Sequence, residues 1–162
     1  MINISKRNGS SLKTTLYYVR LKTHDSVQLF EVRENAALDA SKTFASQGPS
    51  LATIVSDELL QISNHHRDIE IEQWVLEPNA LHALVSIEEH RHNPDAKGKP
   101  RSLTSFVAAL KAATAKRINL IRNQPGSSVW QRSYNEQRVE DEMMLARQRK
   151  KLNESEHVVM AG

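Results

Sequence analysis

The chain has 162 residues and a formal net charge of +3, with 39% hydrophobic and 25% charged residues. This composition is typical of one globular domain and excludes a disordered or fibrous chain. The absence of cysteine excludes disulfides, thiolate metal sites and a cysteine nucleophile. No apolar run approaches the roughly 18 residues of a membrane span, and residues 1–7 lack the apolar stretch of a secretory signal. We therefore expect a cytoplasmic protein with no membrane partner.

The charged residues are unevenly distributed along the chain. Residues 1–96 contain 9 Lys and Arg against 13 Asp and Glu, whereas residues 97–162 contain 13 against 6. No acidic residue lies between Asp95 and Glu136. A basic stretch without acidic residues lets a polyanion approach without repulsion, so nucleic acid is the leading class of partner. The alternative explanation is a solvated face, or a contact between the two halves of the chain.

The first third of the chain predicts a lead-in, one or two strands and a helix. Residues 1–13 are polar and are expected to be flexible. The β-branched and aromatic residues over 14–22 predict a strand, and residues 27–32 predict a shorter one. Ser50 is a candidate N-cap, because an apolar stripe at helical spacing follows it as far as Ile62.

The middle of the chain predicts a β-hairpin. Residues 69–76 and 80–88 have the composition and alternation of strands, and the Pro-Asn pair between them is a turn signal. Successive side chains of a strand point to opposite faces of the sheet. Ala80 and His82, two residues apart, are therefore expected to share one face.

The last third predicts two helices on either side of an extended segment. Ser102 is a candidate N-cap for a long helix over 103–122, which the sequence Gln-Pro-Gly then ends. Residues 129–139 are expected to be extended, and a last helix is expected over 140–153. The order strand, helix, hairpin, helix, strand, helix predicts an α+β fold with an antiparallel sheet.

Several motifs occur along the chain in a fixed order, at residues 17–31, 75–85, 102–119 and 129–134 and at the acidic residues 136, 141 and 142. Two of them read Val-Leu-Glu-Pro-Asn-Ala-Leu-His at 75–82 and Val-Trp-Gln-Arg-Ser-Tyr at 129–134. This pattern resembles that of the REP-associated tyrosine transposases, a family of the HUH single-strand nuclease superfamily. The resemblance covers roughly residues 14–155, which we interpret as one domain followed by a tail over 156–162.

This resemblance implies a fold and an activity. The implied fold is a ferredoxin-like antiparallel sheet with helices packed on it, often in a homodimer. The implied activity is cleavage of single-stranded or hairpin DNA, in which a tyrosine attacks the phosphodiester and a divalent metal polarises the scissile phosphate.

The chain departs from the family at the positions that would carry this chemistry. The resemblance implies metal-binding histidines at positions 80 and 82, a nucleophilic tyrosine at 151 and an asparagine at 155. The sequence has Ala80, His82, Lys151 and Ser155 there, and no tyrosine follows Tyr134. One neutral imidazole is a poor site for a hard cation such as Mg²⁺. We therefore expect no catalytic residue and no cofactor; a divalent metal is expected only if activity is retained, with His82 as its candidate ligand.

The basic stretch supplies the candidate nucleic-acid-binding residues. Lys111 and Arg122 are 11 residues apart and share a face of the predicted helix, whereas Arg117 borders the other edge of its apolar stripe. Cations that contact phosphates, beside an aromatic ring that stacks on a base, are typical of single-strand binders. The alternative role for the tryptophan of this stretch is that of a core anchor. The candidates are Arg101, Lys111, Lys116, Arg117, Arg122, Trp130 and Arg132.

We thus expect a catalytically inactive, transposase-derived domain that binds single-stranded or hairpin DNA, with RNA as an open alternative. A protein-interaction module recruited to a multi-subunit assembly is a hypothesis from a different class, which loss of the catalytic groups fits equally. A third is an active transposase or nuclease with Tyr134 as a relocated nucleophile, although structural packing is the simpler role for this side chain. The polar stretch with His90 and His92 has the residue types of a metal site, but its simpler interpretation is a solvated loop.

Overall fold

The computed structural model describes residues 13–30, 50–89, 101–154 and 160–161, and all structural statements concern these residues. In chain order the elements are β1 (Lys13–Lys22), α1 (Leu51–His65), β2 (Ile69–Glu77), β3 (Ala80–Glu89), α2 (Arg101–Ile121), β4 (Asn135–Val139), α3 (Glu142–Glu154) and β5 (Met160–Ala161). A short 3-10 turn at His24–Ser26 follows β1. No helix in these ranges combines the length and the hydropathy that crossing a membrane requires.

The strands form one antiparallel sheet in the order β4-β1-β3-β2-β5. A two-residue turn at Pro78 and Asn79 joins β2 to β3, and β1 pairs with β3 from Lys13↔Glu89 to Lys22↔Ala80. Apart from the two-residue edge strand β5, the order 4-1-3-2 with helices after β1 and β3 is the split β-α-β arrangement of the ferredoxin-like fold. The predicted α+β class and ferredoxin-like sheet are confirmed.

Each face of the sheet carries its own hydrophobic cluster, because successive side chains point to opposite faces and apolar residues occur at both sets of positions. The larger cluster packs α1 and α2 against strand residues such as Val19, Leu81 and Val85. The smaller cluster packs α3 on the opposite face, which we call the α3 face. Its buried members are Leu16, Tyr18, Val75, Leu84, Val139, Leu145 and Leu152.

Polar contacts to the edge of β2 fix the position of α3. The pairing of β2 with β3 shifts register between Ile71 and Gln73, as expected where a β-bulge inserts one residue. At this bulge Glu72 accepts a hydrogen bond from Arg149 Nη2 of α3 at 3.3 Å, and Gln73 Nε2 donates to Asn153 Oδ1 at 2.7 Å. The last two turns of α3 are therefore held against the sheet.

The helices follow the predicted stripes, with differences at their ends. Ser50 caps α1 as predicted, since its Oγ accepts a hydrogen bond from Thr53 N at 3.1 Å. Ser102 is not the N-cap of α2: the helix already includes Arg101, so Ser102 lies inside the first turn, where the backbone is helical. The last buried apolar residue of α2 is Ile118, and Ile121 is 46% exposed.

Two predicted extended segments are only partly strands. Residues 27–30 form no strand; instead Phe30 turns inward, is 1% exposed and donates its N–H to Pro78 O at 3.0 Å. Of residues 129–139 only Asn135–Val139 form a strand, since the carbonyls of residues 131–133 accept hydrogen bonds from Lys111 Nζ.

Some predictions lie outside the described residues. They concern the lead-in over 1–12, residues 31–32 of the second predicted strand, the loop with His90 and His92, and most of the tail. The division into a lead-in, a domain and a tail remains a prediction.

Candidate nucleic-acid interface and the polar cluster of the α3 face

A chain of hydrogen bonds links three polar side chains of the α3 face. His82 on β3 is 5% exposed, and its Nδ1 lies 2.6 Å from the Tyr18 hydroxyl of β1. Its other ring nitrogen, Nε2, lies 3.1 Å from Glu77 Oε2 at the end of β2. Strand pairing causes this convergence, because β3 lies between β1 and β2 and presents His82 toward both. We call these residues the Tyr18–His82–Glu77 cluster.

Hydrogen-bond chemistry sets the proton positions in this cluster. A carboxylate only accepts, so His82 Nε2 carries the proton, and Nδ1 of the neutral ring accepts from the Tyr18 hydroxyl. Burial lowers the pKa of His82, although Glu77 acts in the opposite direction. Burial, followed by the charge of Glu77, raises the pKa of Tyr18 to about 12. Near neutral pH the histidine is therefore uncharged and the tyrosine hydroxyl is protonated.

This cluster occupies the place where the sequence resemblance implies a metal. Ala80 lies two positions before His82 on the same strand face, is 2% exposed and has no ligand atom. A cation could bind His82 only after a bond to Tyr18 or Glu77 is broken. Among the residues that the structure describes, no group of three or more His, Asp and Glu side chains could hold a metal ion.

Lys151 lies beside the same cluster. α3 brings its Nζ to 5.6 Å from the centroid of the Tyr18 ring. The resemblance assigns the nucleophile to position 151 and the metal ligands to positions 80 and 82. Lys151 therefore lies near the strand that carries these two positions. Lys151 also lines an open cleft of about 630 Å³ between β1, β4 and α3. The cleft is lined by Tyr18, Arg20, Tyr134, Asn135, Glu136, Gln137 and Lys151.

Two of the predicted nucleic-acid-binding cations hold the segment that follows α2. Lys111 Nζ donates to Gln131 O at 2.6 Å and to the next two carbonyls at 3.2 Å each. Arg122 donates from Nε to Asn119 Oδ1 at 2.8 Å and from Nη2 to Ser128 O at 3.2 Å. Both cations face this segment, in agreement with their predicted shared helix face. The Lys111 ammonium and two of the three guanidinium nitrogens of Arg122 are therefore already bonded within the protein.

The other predicted cations differ in their surroundings. Arg117 forms ion pairs with Glu58 Oε1 at 3.0 Å and Asp57 Oδ2 at 3.6 Å, which join α2 to α1. Lys116 and Arg132 are exposed, and neither has a polar partner within the described part of the chain. Arg101 begins α2, and its side chain lies outside the described residues.

Trp130 is a core residue in this structure. Its side chain is 7% exposed, its Nε1 donates to Thr114 Oγ1 at 2.8 Å, and its ring centroid lies 5.7 Å from that of Phe30. A ring enclosed in this way offers no face to a base. The predicted stacking role does not fit this position, and the alternative role as a core anchor does.

Several residues of the α3 face were missed by the sequence analysis. Tyr18, Arg20 and Lys22 occupy alternate positions of β1 and therefore share one face. The alternation of this strand was a usable signal, because two cations on the face opposite Val19 and Leu21 are unusual in a sheet covered on both sides. The composition of residues 14–22 predicts a strand but assigns no site residue to it.

Comparison with solved structures identifies the class of fold. A proposed transposase from Deinococcus radiodurans R1 is 20% identical, with a TM-score of 0.50 over 96% of this chain and 98% of its own. A REP-associated tyrosine transposase bound to a REP hairpin is 11% identical, with a TM-score of 0.51 over 93% of this chain and 69% of its own. No family model matches the sequence, and no curated protein matches it significantly. The chain has a transposase-like fold, as the sequence resemblance predicted.

Proposed function

We propose that this chain binds single-stranded or hairpin nucleic acid and does not cleave it. The observation that carries the second half of the proposal is the closed Tyr18–His82–Glu77 cluster, in which both ring nitrogens of His82 are engaged. Cleavage by a tyrosine and a metal requires free ligand atoms and a nucleophile next to them. Ala80 has no ligand atom, and Lys151 stands at the position to which the resemblance assigns the tyrosine.

Binding is supported by the fold and by the charge distribution. A protein with the same fold is bound to a REP hairpin. Residues 97–162 of this chain carry a net charge of +7, and Lys116 and Arg132 present cations at the surface of the described part without intramolecular partners. Phosphate contacts of this kind position a nucleic acid without reading its sequence.

In this proposal the predicted basic residues divide into two roles. Lys116, Arg132 and Arg101 contact phosphates. Lys111 and Arg122 act indirectly, because they bond the carbonyls of residues 128 and 131–133 and so position Arg132.

One experiment tests both halves. The protein is incubated with a labelled hairpin and a linear single strand in Mg²⁺ or Mn²⁺, and binding is measured across a salt series. We expect binding that weakens steeply with salt, without nicks or a covalent protein–DNA band. A covalent band would contradict the inactive half, and its loss in Tyr18→Phe or Tyr134→Phe would identify the nucleophile. Absence of binding at low salt would contradict the binding half and favour the protein-interaction hypothesis.

A charge-neutralising pair of substitutions tests the proposed contacts. Lys116→Gln with Arg132→Gln should reduce the magnitude of the salt slope by about 0.7 per lost phosphate contact on a single strand. Arg67→Gln is the matched control, because Arg67 is also exposed and has no polar partner within the described residues but lies after α1. Equal slopes for the double variant and the control would contradict the assignment of these two residues.

A further inference from the structure

Arg20 has an unusual position on the α3 face. Its side chain is half-buried, and its Nε is buried without a hydrogen-bond partner among the described residues. Its neighbours across the sheet are His82 on β3 and Asn135 on β4. Buried side-chain donors nearly always have an acceptor. Because Arg20 also lines a cleft, its unpartnered Nε indicates that the guanidinium takes a ligand there.

The cleft beside Arg20 gathers further donors. Lys151 of α3 forms part of its lining and brings a second positive charge, against the single carboxylate of Glu136. Asn135 and Gln137 of β4 add neutral amides. Gln137 Oε1 accepts from Gln148 Nε2 at 3.2 Å, which leaves the amide N–H groups of Gln137 to donate. The charged side chains of the lining, two cations against one carboxylate, therefore give it a net positive charge.

We propose that this cleft binds a phosphate group of a nucleic-acid backbone, held between the Arg20 guanidinium and the Lys151 ammonium. The proposal rests on the proposed function and names a contact surface for it on the α3 face. A guanidinium presents its donors in a planar fork that matches phosphate oxygens, and an ammonium adds a point charge.

The size of the cleft favours a nucleotide over an isolated ion. About 630 Å³ lies within the range of ligand pockets and exceeds the volume of one phosphate. Tyr134 also lines this cleft, but its side chain packs against the larger cluster and its hydroxyl lies 3.3 Å from Thr104 Oγ1 of α2.

The first test follows the Arg20 donor directly. The arginine Nε–H signals of the intact protein are recorded by NMR during a titration with inorganic phosphate, and the Arg20 signal is assigned by its loss in Arg20→Lys. We expect a saturable shift of this signal, with about tenfold weaker phosphate affinity in Lys151→Gln. An unmoved Arg20 signal, or an equal shift of the Arg67 signal, would overturn the proposal, because it would mean no site or general surface binding only.

The second test uses a single-stranded oligonucleotide. We expect about a tenfold loss of affinity in Arg20→Lys, which keeps the charge but loses the fork, and in Lys151→Gln, which also lowers the salt slope by about 0.7. Thermal unfolding of each variant checks that the fold is kept, and Arg67→Gln is the control with unchanged binding.

The two proposals fail in different ways. Wild-type binding that neither Arg20→Lys nor Lys151→Gln weakens would overturn this inference and leave the proposed function standing. A phosphate shift at Arg20 without any oligonucleotide binding would overturn the proposed function, and with it the nucleic acid as the source of the phosphate.

Discussion

Replacement of Tyr18 by Phe is the sharpest test of the polar cluster, because it removes a single oxygen atom. Phe has the same ring, so the packing against Leu84 and the rest of the α3 face is kept. The change deletes the 2.6 Å hydrogen bond to His82 Nδ1. Nδ1 then remains inside the protein without a donor, because His82 is only 5% exposed.

The structure sets the expected magnitude. A typical hydrogen bond contributes a net 0.5–1.5 kcal/mol, and a buried polar atom left without its partner costs about 1–3 kcal/mol. We expect Tyr18→Phe to lower the free energy of unfolding by about 2 kcal/mol. For a chain of this length that corresponds to a decrease in Tm of about 4–8 °C. Replacing both partners, with Tyr18→Phe and His82→Leu, should cost less than the sum of the single changes.

Urea unfolding followed by tryptophan fluorescence measures this effect, since Trp74 and Trp130 are both buried. Tyr134→Phe is the control, because its hydroxyl makes a longer contact of 3.3 Å with Thr104 in a half-buried place. A cost below about 0.5 kcal/mol for Tyr18→Phe, or strict additivity with His82→Leu, would refute the closed hydrogen-bond chain.

Three further predictions follow from the same contacts. Stability should fall as the pH decreases from about 6.5, because the pKa of His82 is lowered in the folded protein and the unfolded chain then binds the proton more tightly. Stability should also fall as the pH rises from 10 to about 12, where the tyrosine ionises in the unfolded chain but not in the folded protein. Urea midpoints measured across this pH range report both losses, and a flat profile would contradict them. Lys111→Glu should lower the free energy of unfolding by about 2 kcal/mol, because it removes the donor to three carbonyls. Lys116→Glu should change it by less than about 0.5 kcal/mol in the same assay, and equal losses would contradict the structural role of Lys111. Trp130→Phe should lower the free energy of unfolding by about 1–3 kcal/mol, because it removes the bond to Thr114 and part of a buried ring. At temperatures well below its Tm, the variant should bind a single strand with wild-type affinity. A loss of affinity without a loss of stability would instead support the stacking role.

Much of this fold could be predicted from the sequence because its signals are local. The hairpin depends on alternation within two adjacent strands and on a Pro-Asn turn between them. The start of α1 depends on Ser50, whose oxygen bonds three residues away. The sequence likewise has Ala80 and Lys151 at the positions where the resemblance implies a histidine and a tyrosine. All of these features act over a few residues, within the reach of periodicity and of short patterns.

The roles of the individual polar residues depended on the tertiary structure. A helical wheel correctly placed Lys111 and Arg122 on one face, but it could not show that the carbonyls of residues 128 and 131–133 meet these two cations there. The sequence leaves two roles open for Trp130, base stacking or core anchor, and its contacts with Thr114 and Phe30 fit the second.

The α3 face was decided by contacts between residues far apart in the sequence. Tyr18 and His82 are 64 positions apart and become neighbours only because β1 and β3 pair in the middle of the sheet. Lys151 joins them because α3 packs on the same face of the sheet. Sequence alone could determine which chemical groups the chain possesses. Whether a cation meets a carbonyl, a carboxylate or solvent depends on which distant segment folds against it, because charges and hydrogen bonds act only over a few ångströms.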